Sequence, residues 1–191
     1  TLTDNPGESF PWNQGDTGRK MIYGENTHNK NGGKSSGNSY AIMKDPQGEF
    51  FIYEFYAHAN NKHAKLNAYQ IKQDIATDFA NATMFAFSSK RSVIFYVANN
   101  KLYAYDYDPG NEKGYQFDMF GGDEISMIKF DTQINPTENA LYVATYNSTD
   151  KGQLERYLVN TDPTTVTLTL DPVSVWHDLI KVKNFSWRPV K

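Results

Sequence analysis

Four oxygen-bearing side chains crowd one short stretch, "DYDPGNE": Asp106, Asp108, Asn111 and Glu112. Calcium takes about six to eight oxygen ligands from carboxylates, amides and carbonyls on flexible loops, so this cluster is the candidate metal site. Its spacing departs from an EF-hand, because Gly110 stands where a ligand is expected. The competing reading is a loop closed by Asx turns, in which the same oxygens accept backbone N–H groups. Calcium at this cluster is the one cofactor the sequence offers. His58 and His63 are five apart and lack the H-E-x-x-H pattern of zinc hydrolases. There is no G-x-S-x-G and no Cys, so no nucleophilic motif emerges. Asp118, Asp123, Glu124 and Asp131 border expected strand ends. Paired carboxylates there would suit glycoside chemistry, while solvated strand ends are the plainer reading.

Aromatic side chains are the stronger pointer to function. Trp12, Tyr23, Tyr56, Tyr115, Trp176 and Trp187 fall near strand ends or loops. Exposed rings offer large contact area at low entropy cost and can stack on sugars or peptides. Trp176 and His177 in "DPVSVWHD", with Trp12 and Tyr115, are the candidate ligand-binding residues. The alternative for each is packing between neighbouring sheets.

Something regular must position these groups. "SYAIMK" (39–44) and "EFFIYEFYA" (49–57) flank "DPQG", a turn with Pro second. "AKLNAYQI" (64–71), "ATMFAF" (82–87) and "SVIFYVA" (92–98) follow. Asn99-Asn100 reads as a two-residue hairpin turn, because Asn tolerates positive φ. "KLYAYDYD" (101–108), "GYQFDMF" (114–120), "ISMIKFD" (125–131), "NALYVATY" (139–146), "GQLERYLV" (152–159), "TVTLTL" (165–170) and "DLIKVKNFSW" (178–187) complete the series. Residues 1–38 read as a polar arm followed by a mobile Gly- and Asn-rich loop. Helical character is confined to a short turn around 73–79.

The hairpins repeat. Tyr40 to Val93 is 53 positions and Val93 to Leu141 is 48, measured between equivalent apolar strands. A period near 50 with four strands per unit is the signature of a propeller blade. Inner strands, buried on both faces, should be continuously apolar, as "VIFYVA" is, and outer strands should alternate and turn polar. The expectation is an all-β, propeller-like domain over 39–191, with four-stranded antiparallel blades at about 39–81, 82–123 and 124–172 and a closing strand at 173–191. A β-sandwich with similar hairpins is the rival. Three blades do not close a ring of the usual size, so the expectation is part of a larger propeller.

Composition narrows the class. The 191 residues carry 19 basic and 22 acidic side chains, a formal net charge of -3, without the basic stripe nucleic acid demands. No apolar run approaches the roughly 18 residues of a membrane helix. Thr1 opens the chain without a signal peptide ahead of it, which fits a processed product or a fragment, with any membrane anchor upstream.

"IFYVANNKLYAYDYD", "FGGDEISMIKFD", "LYVATYNSTDKGQLERYLV" and "VWHDLIKVKNFSWRP" together resemble the tail of the PKD-like family of Bacteroidetes surface lipoproteins, over residues 91–188. The resemblance implies a cell-envelope location, at the outer-membrane surface or in the periplasm. It also implies binding or adhesion linked to nutrient capture, with no catalytic motif. The expected function is therefore non-catalytic binding of a glycan or protein ligand, and a carbohydrate-active propeller enzyme is the alternative.

Overall fold

The structure, a computed structural model, describes residues 18–28, 37–57, 64–88, 91–131, 139–160, 162 and 164–185. It is all β: three four-stranded antiparallel sheets, each a meander of consecutive strands. The chain divides into two compact units, Thr1–Lys72 and Gln73–Lys191.

The first unit holds β1 (Lys20–His28), β2 (Gly37–Lys44), β3 (Phe50–Ala57) and β4 (Ala64–Gln70). Tyr40, Ile42, Ile52 and Glu54 share one face of this sheet and are buried. Ala41, Met43 and Tyr53 form a small cluster on the other, where the Arg19 guanidinium lies 3.8 Å above the Phe51 ring. β1 begins at Lys20, inside the stretch read from sequence as a polar arm. It pairs only with β2, so as an edge strand it needs no continuous apolar run, and its Gly and Asn content hid it.

The second unit holds a sheet of β5 (Ala82–Phe87), β6 (Val93–Ala98), β7 (Lys101–Asp106) and β8 (Lys113–Phe117). Its other sheet is β9 (Glu124–Phe130), β10 (Ala140–Tyr146), β11 (Lys151–Val159) and β12 (Leu168–Ile180). A 3-10 turn, Phe79–Asn81, precedes β5, and Phe79 packs edge-on against Tyr96. All six residues of β6 are buried. β12 departs from expectation. One strand spans "LTLDPVSVWHDLI", where two strands separated by a loop were expected. Of two register shifts against β11, the one between Glu155 and Tyr157 absorbs the interruption around Asp171-Pro172, which an edge strand tolerates although proline cannot donate to a ladder.

The hairpin turns explain the pairing. Asn99 and Asn100 have φ of 49° and 59°, the two left-handed positions of a type I′ turn. The four-residue turns at 45–48 and 147–150 are built alike. Asp45 Oδ1 accepts the amides of Gln47 (2.9 Å) and Glu49 (2.8 Å). Asn147 Oδ1 accepts those of Thr149 (2.9 Å) and Lys151 (3.1 Å).

The two sheets of the second unit share one core. Ala86, Val93, Phe95, Val97, Leu102 and Ala104 meet Ile125, Ile128, Phe130, Leu141, Val143 and Tyr157. Backbone bonds set the correspondence between them. Ser88 N donates to Val93 O and Tyr107 N to Ser92 O; Asp131 N donates to Ala140 O and Val159 N to Asn139 O. Val93 thus corresponds to Ala140, Phe95 to Tyr142 and Val97 to Ala144. The Phe95 row of one sheet packs on the Leu141–Val143 row of the next, whose own Tyr142 row faces away. The stacking is head-to-tail, because the two sheets meet through non-equivalent faces.

Candidate functional site

The outward face of the third sheet gathers the most unusual side chains. Alternation along β10 and β11 places Tyr142, Ala144, Leu154 and Arg156 on it, and Leu154 pairs with Trp176 of β12. Trp176 stacks on Tyr142 at 6.4 Å and 30° and keeps 44% of its surface exposed. The Arg156 guanidinium lies 6.0 Å from the Tyr142 ring centre and pairs with Asp171 at 2.8 Å. Asp171 also accepts the Ser174 hydroxyl at 2.9 Å. That bond, with Arg156 behind it, holds the Asp171 carboxyl below its ordinary range. Leu158 and Val173 are exposed nearby in sequence. Trp176 is thus the exposed ring of this group, resting on Tyr142 and Arg156, which are buried.

Residues 181–185 cross this face without joining the sheet. Ser126 Oγ donates to Val182 O at 2.7 Å, and Lys129 Nζ donates to Phe185 O at 2.6 Å. Phe185 meets Tyr142 edge-on at 5.1 Å, and Lys181 Nζ sits 3.7 Å from the centre of the Tyr146 ring.

The remaining candidates from sequence are dispersed. His177 follows Trp176 and so points to the opposite face, where Nδ1 lies 3.0 Å from Gln153 Oε1. The chain of contacts continues from Gln153 to Glu155 and from Glu155 to the buried Tyr157 hydroxyl, whose pKa burial and Glu155 push up. Tyr115 packs its ring against the shared core, with its hydroxyl 3.5 Å from Thr164 O. Burial raises its pKa as well. Trp12, His58, His63 and Trp187 lie outside the described residues.

The acidic stretch is spread over a turn. Asp106 Oδ2 meets Arg91 Nη2 at 2.9 Å, and Asp106 Oδ1 accepts the amide of Asp108 at 3.1 Å. Asn111 N donates to Asp108 O at 3.0 Å, and Gly110 N to Glu112 Oε2 at 3.1 Å. Among the described residues, no three His, Cys, Asp or Glu side chains are grouped to hold a metal ion.

Sequence reading passed over Arg91, which sits in "SSKRS" and resembles an ordinary loop cation. Its Nη1 donates to Thr165 O at 2.6 Å while Nη2 holds Asp106, so one side chain ties the two sheets at their common end. Ser88 Oγ donates to Asn139 Oδ1 at 3.1 Å in the same region. Arg156 was missed too. Its signal was a charge on an apolar row, between Leu154 and Leu158 in "LERYL".

A cleft of about 160 Å³ lies between residues 75–77 and the second sheet, lined by Ile75, Thr77, Tyr96, Tyr103 and Gly114 among others. Both phenols are engaged there: Tyr96 donates to Thr77 O at 2.6 Å and Tyr103 to Asp78 Oδ2 at 3.2 Å.

Comparison with known proteins found no matching family model, no matching curated protein and no matching solved structure. No helix among the described residues is long and apolar enough to cross a membrane.

Proposed function

We propose that the chain is a non-catalytic binding domain of a bacterial cell-surface protein, built from propeller blades, that captures a glycan or protein ligand. The single observation that carries the binding reading is the Trp176–Tyr142 surface with Arg156 and Asp171 fixed beside it. An exposed ring held by a stacked neighbour loses little freedom on contact, which is how aromatic anchors gain affinity. The propeller reading is supported by the run of four-stranded meanders and by the head-to-tail stacking of the last two, since heterologous contacts close into rings when their rotation allows. The cell-surface assignment rests on the resemblance of residues 91–188 to the PKD-like lipoproteins.

A screen of the full chain on glycan and peptide arrays, with products followed by mass spectrometry, tests this. Capture without new products is expected. Turnover of a captured glycan would overturn the non-catalytic reading in favour of a carbohydrate-active enzyme.

A further inference from the structure

The second sheet carries a polar cleft on the face turned away from the third. Phe95, Val97, Leu102 and Ala104 face the shared core, so alternation along β6 and β7 turns Tyr96 and Tyr103 to the opposite side. Their rings stack at 5.1 Å and 10°, with Phe79 edge-on against Tyr96. Gly114 of β8 lets residues 75–77 approach this face, because a Cβ there would strike Ile75 O. Between that segment and the sheet lies the cleft of about 160 Å³, lined by Ile75, Thr77, Tyr96, Tyr103 and Gln116 among others.

The phenol and amide donors of this cleft are already spent. Tyr96 donates to Thr77 O at 2.6 Å and Tyr103 to Asp78 Oδ2 at 3.2 Å. Thr77 N donates to Ile75 O at 3.0 Å, and Gln116 Nε2 to both Asp118 oxygens, at 2.8 and 3.0 Å. Acceptor capacity remains on the two phenol oxygens, on the Ile75 and Thr77 carbonyls and on Gln116 Oε1. Asp78 and Asp118 stand directly behind these acceptors. Among the described residues, neither carboxylate meets a lysine or arginine, and no basic residue lines the cleft. Burial chiefly raises the pKa of both phenols; Asp78 raises them further, and Asp118 adds to this at Tyr103. Both therefore stay protonated and keep their bonds to Thr77 O and Asp78.

We propose that this cleft binds a primary ammonium at the end of an unbranched alkyl chain, presented by a lysine side chain of a protein ligand. An ammonium carries three donors, no acceptor and a positive charge, which complements a cleft with spare acceptors and two carboxylates behind them. The volume selects the form of the ligand. It lies well below the roughly 300 Å³ at which ordinary ligand pockets begin, so it admits an end group on a slender stem and not a sugar ring with its substituents. The site is on a different sheet from Trp176 and goes beyond the reading above, on which it does not depend.

The probe is N-acetyl-lysine methylamide, titrated into the isotope-labelled full chain while backbone amide shifts are followed. The norleucine analogue, which lacks the ammonium, and glucosamine are titrated in parallel. Saturable shifts at residues 75–78 and 114–116 are expected with the lysine compound and none with the norleucine analogue. Asp78→Asn combined with Asp118→Asn should weaken binding about tenfold or more, because charge-assisted contacts become neutral ones. Asn still accepts from Tyr103 and Gln116 and tolerates the φ of 58° at position 78, so this variant keeps its fold. Gln116→Lys, which sets an ammonium on the exposed edge strand beside the cleft, should block the probe. Equal binding of the norleucine analogue, or undiminished affinity in the double variant, would overturn the proposal. So would shifts with glucosamine in place of the lysine compound, since the ligand would then be an amino sugar. Trp176→Ala should leave the titration unchanged, and loss of the response in that variant would place the site elsewhere and overturn it too. No shifts with any probe would remove the cleft as a site and leave the Trp176 reading standing.

Discussion

Arg91 and Asp106 show how one buried pair can govern a junction. The Arg91 side chain is 10% exposed and Asp106 7%, and Arg91 also bonds Thr165 O. Removing one partner of such a pair leaves an uncompensated charge, at about 3–5 kcal/mol. Arg91→Met should therefore lower stability by that order in urea titration. Burial outweighs Arg91 at Asp106 and raises its carboxyl above the ordinary 3.8. A carboxyl raised on folding binds its proton more tightly in the native state. Its contribution to stability is complete below the unfolded value and is lost as pH rises through the folded one. In Arg91→Met the carboxyl should rise further, so this loss extends to higher pH. A melting profile against pH that stays parallel to wild type would contradict this.

Turns and strands carry the next set of expectations. Asn99→Val with Asn100→Val forces β-branched residues into positive φ, at about 1–2 kcal/mol each. It also removes the Asn100 bonds to Asp123 O (3.1 Å) and Ile125 N (2.8 Å), worth about 1 kcal/mol apiece. A loss of about 4–6 kcal/mol by thermal unfolding is expected. Asn147→Asp should change stability by no more than about 0.5 kcal/mol, because Asp45 performs the same task in the first sheet. Gly114→Ala should be costly, since a Cβ there would lie 2.0 Å from Ile75 O, and overpacking costs about 1–3 kcal/mol. Strands β2 to β11 were legible because apolar runs and Gly, Pro or Asn turns bound them. β1 was not, because an edge strand tolerates polar, Gly-bearing sequence. The continuity of β12 was not, because its bulges break the period of two that identifies a strand. Trp176 stood out in the sequence, but its partners did not. Tyr142, Arg156 and Asp171 are 34, 20 and 5 positions away and meet it only through strand pairing.

At the scale of the molecule, the repeat matters more than any one sheet. A head-to-tail contact does not terminate itself, because every sheet that buries its Leu141-type row offers a Phe95-type row to the next. In the third sheet that row is Tyr142, with Trp176 beside it, and among the described residues 181–185 cross it. The proposed binding is placed on this face, around Trp176. Its most direct test is the affinity of the full chain for whatever it captures, measured by calorimetry before and after Trp176→Ala. A loss of about tenfold or more is expected, as for an aromatic anchor, with an unchanged melting temperature. Undiminished affinity in the variant would contradict it.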